Sequence, residues 1–252
     1  MGASNMFGVD VSKWQGAIDW KTAKANGVKF AMIKCGQGKP TNGTNKYKEM
    51  PFTDSMFVQN VTNAYAAGIY VGTYWYFTAT TEAETLQEVN YYINAMKPYK
   101  SKIKFPCAID IEEDGLHGNT NYKTRNTKLV KLFCDKLKVA GYTPAIYTND
   151  NYLTYYLNYN ELKSYDLWYA RWTTTKPTKY SDMAMWQNSS RGKIKGINGD
   201  VDTNYCYKDY VKPNYIDIVQ SRVSPRLEQQ TIDYINKYKH SQELWKRLAE
   251  MK

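Results

Sequence analysis

Residues 105–112 read FPCAIDIE, an apolar run that ends on two carboxylates, Asp110 and Glu112. The length and composition of the run are typical of a buried β-strand. Because side chains alternate across a strand, both carboxylates lie on one face, about 7 Å apart along it. Like charges at that spacing repel and push one carboxyl toward its protonated form, which suits a general acid. The alternative is a strand end at which both acids are simply hydrated.

Two more short apolar runs end on acids that are distant in the sequence. Residues 7–11 carry Asp10, and a third run near the far end carries Asp202. In a β/α barrel the carboxyl ends of the strands open at one mouth, where side chains from distant segments meet. We therefore expect these two acids to converge on Asp110 and Glu112.

Short strands alternate with helical stretches from residue 7 to residue 210, which predicts an α/β protein with parallel strands and right-handed crossovers. The later strands leave little room for helices between them, which favours an irregular barrel. Gly68 and Gly141 are expected to end the helices that precede them. The predicted strands are 6–11, 29–35, 69–77, 104–112, 143–148, 166–171, 182–187 and 197–202, and the predicted helices are 18–26, 53–67, 81–97, 121–140 and 150–157.

The sequence pattern divides the chain into three parts. We predict a disordered leader over residues 1–5, a barrel domain over residues 6–210, and a linker with a helical C-terminal segment over residues 211–252. Two amphipathic helices are predicted in the last part, one from Ser224 and one after Ser241, and helices this short need a partner surface. They dock on the barrel, make an oligomer contact, or form a small binding module. The apolar stripe of the second helix consists of Leu244, Trp245, Leu248 and Met251.

The composition argues against several classes of partner. The net charge of +10 attracts polyanions, but the basic residues are scattered, so we expect no nucleic-acid partner. No apolar stretch reaches the roughly 18 residues of a membrane span, so we expect no stable membrane insertion. The 4 Cys lack metal-site spacing, so we expect buried thiols, no metal and no cofactor. The 24 Tyr and 7 Trp suit clefts that stack on sugar rings.

A series of motifs, taken in order and with its spacing, resembles glycoside hydrolase family 25, the lysozyme-type muramidases common among phage endolysins and bacterial autolysins. The resemblance covers roughly residues 6–208. It implies an irregular TIM-like β/α barrel that cleaves the β-1,4 bond between N-acetylmuramic acid and N-acetylglucosamine in peptidoglycan. The motifs are residues 8–12 (GVDVS), 30–34 (FAMIK), 72–77 (GTYWYF), 108–112 (AIDIE), 144–148 (PAIYT), 167–172 (LWYARW), 185–187 (MWQ) and 201–202 (VD).

The resemblance also implies catalytic roles for the four acids. Glu112 looks like the general acid/base, and Asp110 either orients the 2-acetamido group of the substrate or acts as a nucleophile. Asp10 and Asp202 complete a ring of carboxylates, and Asp200 is the alternative to Asp202. Retaining glycosidases need one protonated carboxyl and one negative group, and an N-acetyl sugar can supply its own carbonyl oxygen as the nucleophile. We therefore expect net retention with substrate assistance.

Further side chains are expected to bind the glycan. Lys34 closes an apolar strand, and we expect it to pair with Asp10, the alternative being a lysine that extends to the surface. Trp168 is expected in the core. Trp75 departs from the family, which often has His there. The expected substrate-binding residues are Lys34, Tyr74, Tyr76, Tyr147, Tyr169, Arg171, Trp172 and Trp186.

Two other functions remain compatible with the sequence. A divalent-metal hydrolase also gathers acids at strand ends, and a non-catalytic cell-wall glycan-binding module could keep this fold without the chemistry. The resemblance to endolysins implies a protein that waits in the host bacterial cytoplasm until release and then acts on the cell wall.

Overall fold

The computed structural model describes residues 5–38, 51–112, 122–211, 235–237 and 240–250. Contacts divide the chain into two compact units, Met1–Tyr210 and Val211–Lys252. Most of the predicted leader and the helix predicted from Ser224 lie outside the described residues.

The strands of the first unit follow the predicted positions closely, except toward the end. The last two were predicted at 182–187 and 197–202 and lie several residues later. A two-residue strand, β3, falls beside a predicted helix. The observed strands are β1 (Met6–Val11), β2 (Phe30–Gln37), β3 (Phe52–Thr53), β4 (Tyr70–Tyr76), β5 (Ile103–Asp110), β6 (Pro144–Asn149), β7 (Asp166–Ala170), β8 (Met185–Gly192) and β9 (Val201–Cys206).

Helices fill the connections as far as β7. Gly68 and Gly141 follow two of them with φ of 73° and 78°, which confirms their predicted role because glycine tolerates this left-handed conformation. The helices are α1 (Trp20–Ala25), α2 (Phe57–Ala66), α3 (Glu82–Met96), α4 (Tyr122–Val139), α5 (Tyr159–Leu162) and α6 (Ser241–Glu250), with 3₁₀ turns at Lys13–Gln15 and Lys97–Tyr99 and a π-helical turn at Tyr152–Tyr156.

The sheet closes on itself. Its nine strands run in the order β1-β9-β8-β7-β6-β5-β4-β2-β3, and β1 also pairs with β2. Strand β3 pairs only with β2, and the other eight strands form the closed ring. Within that ring only β9 is antiparallel to its neighbours, β8 and β1. The predicted irregular β/α barrel is therefore confirmed.

Side chains alternate between the inside of the barrel and a core beneath the helices. At the amino end the inside is filled by Phe30 and Phe105, whose rings stack with centroids 4.8 Å apart. Gly8 makes room for this pair, because a Cβ there would lie 2.5 Å from the Phe30 ring. Polar groups are left for the carboxyl end of the barrel, where all four predicted acids lie on or beside strand ends.

The outer core contains most of the apolar side chains that face the helices, such as Val9, Ile33, Ile109 and Ile146. All four cysteines are free and buried, as predicted. Within the described part of the chain, no helix combines the length and apolar content that a membrane span needs.

In the second unit, α6 buries a stripe that differs in part from the predicted one. Trp245 is buried, and its indole N–H donates to Asn236 Oδ1 at 2.9 Å. Ala249 is buried as well, whereas Leu244 is 39% exposed. The prediction is therefore correct for Trp245 and wrong for Leu244.

Glu88 of α3 is a buried carboxyl that lies behind β4 rather than at the barrel mouth. It accepts hydrogen bonds from Trp75 Nε1 at 2.8 Å and from Thr78 Oγ1 at 3.0 Å. These bonds tie α3 to the end of β4. Burial, which outweighs them, raises the pKa of Glu88 from 4.5 to about 7.

The raised pKa of Glu88 makes the free energy of unfolding depend on pH, and a Glu88→Gln variant should lack this dependence. The folded-state pKa lies above the unfolded value, so folding takes up a proton between about pH 4.5 and 7. Stability supplied by the protonated carboxyl is then lost as the pH rises through that window, by up to about 3 kcal/mol. We expect urea unfolding at several pH values to show this loss in the wild type and not in Glu88→Gln.

The matched control is Glu82→Gln, an exposed glutamate of the same helix that pairs with Lys128. It should keep the wild-type slope. An identical fall in the free energy of unfolding for Glu88→Gln and wild type would show that Glu88 does not hold this proton.

Candidate active site

Asp10 is a buried carboxyl at the barrel mouth. Strand β1 carries it on the inward face, while its neighbours Val9 and Val11 pack outward in the core. Its Oδ2 accepts two amide hydrogen bonds, from Asn204 Nδ2 at 2.7 Å and from Gln187 Nε2 at 3.0 Å. Such charge-dipole contacts compensate for part of the cost of removing a carboxylate from water.

Asp202 faces Asp10 across the antiparallel β1–β9 pair, where the two residues are direct partners. Burial is the main reason that the pKa of Asp10 is raised well above its usual value, and the neighbouring charge of Asp202 adds to it. Burial also raises the pKa of Asp202, while a hydrogen bond with Asp10 opposes that shift. The negative charge of Asp202 thus adds to burial in favouring the protonated form of Asp10.

Asp110 and Glu112 lie on the inward side of β5 and its extension, as the alternation predicted. The side chains between and before them, Ile111 and Ile109, pack in the outer core. Asp110 is 4% exposed, whereas Glu112 is partly exposed. Glu112 lines an open cavity of about 360 Å³, together with Tyr147, Asn149, Asp150, Asn151, Ala170, Arg171 and Trp172.

Tyr74 and Tyr147 lie within the field of these acids. Burial raises the pKa of both hydroxyls well above 10, and the charges of Asp10, Asp110 and Asp202 raise both further. Glu112 has the largest electrostatic effect on Tyr147. Both phenols therefore stay neutral near physiological pH. Because all four acids act on Tyr147, they lie close together at the mouth, as predicted.

Lys34 has other neighbours than the one predicted. Its ammonium donates to Gln37 Oε1 at 3.0 Å and lies 4.8 Å from the centre of the Tyr76 ring. Burial lowers its pKa, and Asp110 is the carboxylate that opposes this most strongly. The predicted pair with Asp10 is wrong for two reasons. The strand register sets Asp10 beside Met32, two residues before Lys34. The Asp10 carboxyl also accepts its hydrogen bonds from amides of β8 and β9 instead.

The site gathers four carboxyls and several aromatic side chains, and comparison with known proteins decides the family. The model of Glycosyl hydrolases family 25 matches residues 9–197. Lysozyme M1 of Streptomyces globisporus is 32% identical over 221 residues, which cover 80% of this chain and 67% of that protein. The chain belongs to glycosyl hydrolases family 25.

Two further relatives agree with this assignment. The lysozyme of Lactococcus phage mv1 is 21% identical over 197 residues, covering 75% of this chain and 91% of that protein. The crystal structure of the bacterial lysozyme from Streptomyces coelicolor superposes with a TM-score of 0.65 at 26% identity, covering 82% of this chain and 94% of that one. This family 25 member is a glycoside hydrolase of the muramidase type, and its substrate is peptidoglycan.

Sequence reasoning missed the roles of Gln187 and Asn204 in this family 25 enzyme. Gln187 Oε1 accepts from Tyr147 Oη and from Trp172 Nε1, both at 3.0 Å, while its amide donates to Asp10. Asn204 Oδ1 accepts from Trp168 Nε1 at 2.7 Å. Alternation along β9 offered one signal, because Asn204 follows Asp202 by two residues and shares its face.

The predicted aromatic residues divide between two sides of the barrel wall. Tyr74, Tyr76, Tyr147 and Trp172 lie at the mouth. Trp168 is buried, as expected, and faces the inside of the barrel, with its ring 4.6 Å from that of Tyr147.

Tyr169 and Trp186 face the outer core instead. Trp186 donates its indole N–H to the Arg171 carbonyl oxygen at 2.6 Å and stacks on Tyr205. Trp75, which replaces the family's frequent His, also faces outward, toward Glu88. The substitution therefore takes no group from the mouth of the family 25 site.

Asp200 is exposed and pairs with Lys193 at 2.7 Å, so it does not compete with Asp202 for the inward position. Among the described residues, no group of three or more His, Cys, Asp or Glu side chains is arranged to hold a metal ion.

The electrostatic coupling of the two carboxyls predicts how Asp10 responds to loss of the Asp202 charge. Asp202→Asn removes the neighbouring negative charge, so the pKa of Asp10 should fall while staying above its usual value, since burial remains. Carbon-13 NMR titration of the Asp10 carboxyl measures this change. Asp200→Asn, two residues away and in solvent, is the matched control and should leave the titration unchanged. An unchanged Asp10 pKa in Asp202→Asn would contradict this electrostatic coupling.

Proposed function

We propose that this enzyme cleaves the β-1,4 bond between N-acetylmuramic acid and N-acetylglucosamine with net retention, using Glu112 as general acid/base. The observation that carries the proposal is the position of Glu112, which lines the open cavity at the mouth while Asp10 and Asp110 are buried. A glycosidic oxygen in that cavity can therefore reach the Glu112 carboxyl. Proton transfer of this kind is required for departure of the leaving sugar.

Asp110 is proposed to orient the 2-acetamido group of the substrate. Its carboxylate accepts the acetamide N–H, and the carbonyl oxygen of the same group then attacks C1 as Glu112 protonates the glycosidic oxygen and the C1–O bond breaks. Glu112 next removes a proton from water, which attacks C1 and releases the acetamide. Two inversions at C1 give retention. Detection of a glycosyl ester on Asp110 would overturn this route.

Asp10 and Asp202 are proposed to position other groups rather than to react. The Asp10 carboxyl anchors Gln187, and Gln187 in turn accepts from Tyr147 and Trp172. Both of those side chains line the cavity that contains Glu112. The deep carboxyl pair thus fixes the walls against which the sugar rests.

The glycan is proposed to lie along aromatic and basic side chains at the mouth. Trp172 is 62% exposed and offers a ring face to the C–H groups of a sugar, the geometry that aromatic side chains use in such clefts. Lys34, Tyr74, Tyr76 and Arg171 are the other proposed contacts. Tyr169 and Trp186 are not included, because both pack on the outer side of the barrel wall.

Glu112→Gln should reduce the hydrolysis of peptidoglycan by about 10² to 10⁴-fold, the usual contribution of a general acid. Clearing of a cell-wall suspension measures the rate, and mass spectrometry of the digest should show muramic acid at the new reducing ends. Glu161→Gln, an exposed glutamate on α5, is the control that should retain full activity.

Three outcomes would count against the assignment. A reducing N-acetylglucosamine end would indicate a different bond. Loss of wild-type activity in EDTA would favour the metal-dependent alternative, and binding of cell walls without cleavage would favour the glycan-binding module.

We also infer that the enzyme is held in the cytoplasm of a host bacterium before it acts on the cell wall. The similarity to a phage lysozyme supports this inference. Fractionation of producing cells before lysis should recover the protein in the cytoplasmic fraction, and recovery in the wall fraction would contradict it. A contact between copies through residues 211–252 is a further proposal, which sedimentation of the full chain tests.

A further inference from the structure

A second cavity, which we call the basic cavity, lies beside the one that contains Glu112. It has a volume of about 380 Å³ and opens at the ends of β6 and β7. Asp150 and Arg171 line both cavities and therefore form the wall between them. A substrate at Glu112 reaches the basic cavity by passing these two side chains. The basic cavity is lined by Asp150, Tyr169, Arg171, Thr173, Thr175, Lys176, Pro177, Thr178 and Lys179.

The charge of the basic cavity is positive. Three of its side chains are cations and one is an anion, which gives a net charge of +2. Lys179 and Asp150 neutralise each other through an ion pair of 2.6 Å. Arg171 is exposed, and within the described residues no ion pair engages its guanidinium group. Arg171 and Lys176 are thus the cations available to a ligand.

Lys176 is held in place by an aromatic ring. Its ammonium lies 3.7 Å from the centre of the Tyr207 ring, a cation–π contact that restricts an otherwise flexible side chain. Thr175 and Thr178 line the same space. Two neighbouring cations match a carboxylate, which accepts several charge-assisted hydrogen bonds. A neutral sugar would leave both charges uncompensated.

We propose that the basic cavity binds the carboxylates of the peptide stem carried by the muramic acid that lies at Glu112. The peptide stem branches from the muramic acid ring through the lactyl group and carries free carboxylates. It therefore supplies an anion close to the scissile bond. This assignment rests on the proposed function, because it needs muramic acid beside Glu112. A phosphate of a wall polymer is the other anion with matching chemistry.

The test compares Lys176→Gln with wild type on two soluble glycans, one with intact peptide stems and one from which an amidase has removed them. On intact stems, Lys176→Gln should lower kcat/KM about fivefold, mainly through KM, as the loss of one exposed ion pair of about 1 kcal/mol implies. On stripped glycan the two enzymes should be equal. Lys176→Arg should restore the wild-type rate.

The matched control is Lys100→Gln, which removes the same charge from another exposed lysine that lies over a tyrosine ring, 5.2 Å from Tyr142. Lys100 precedes β5 at the amino end of the barrel, so its loss should change neither rate. The proposal would be overturned if Lys176→Gln changed kcat/KM equally on both glycans, or on neither of them. It would also be overturned by an effect that disappears on removal of wall phosphate but not of the stems. If wild type cleaves neither glycan, the proposed function fails instead.

Discussion

Burial of the Asp10 carboxyl is the constraint on which the barrel mouth depends. A carboxylate in an apolar barrel is costly unless donors surround it or a proton neutralises it. Two amides, from β8 and β9, donate to one oxygen, and the neighbouring charge of Asp202 favours the protonated form of the group. Strand β9 runs antiparallel beside β1, sets Asp202 opposite Asp10 and supplies the Asn204 amide. The antiparallel strand β9 thus supplies Asp202 and Asn204, two of the polar groups that surround Asp10.

Hydrogen bonds spread outward from Asp10 and fix the side chains around the cavity. Gln187 must turn its nitrogen to Asp10 and its oxygen to Tyr147 and Trp172, because only that orientation satisfies all three partners. Asn204 does the same between Asp10 and Trp168. Fully satisfied networks of this kind are rigid. The side chains of Tyr147 and Trp172, which line the cavity beside Glu112, are therefore held by the buried amide of Gln187.

The four acids are compensated in two different ways. In the deep pair, burial raises the pKa of both Asp10 and Asp202, which favours their protonated forms. The outer pair, Asp110 and Glu112, lies in the field of Lys34, whose remaining neighbours include Asp54. Dividing the acids in this way avoids four like charges in one small volume. It also leaves Glu112, the more exposed of the outer pair, facing the open cavity.

The sequence by itself determined the strands as far as β7 apart from the short β3, the helices between them apart from α5, the glycines that end α2 and α4, and the four acids of the mouth. These features follow from local periodicity and from chemistry at strand ends. Tertiary structure alone decided that Trp168 faces inward and Trp186 outward, that β9 is antiparallel, and that Lys34 lies near Asp110 instead of Asp10. The physical reason is that a barrel strand is buried on both faces, so its apolar pattern does not say which face is inside. Only the register with neighbouring strands settles that choice.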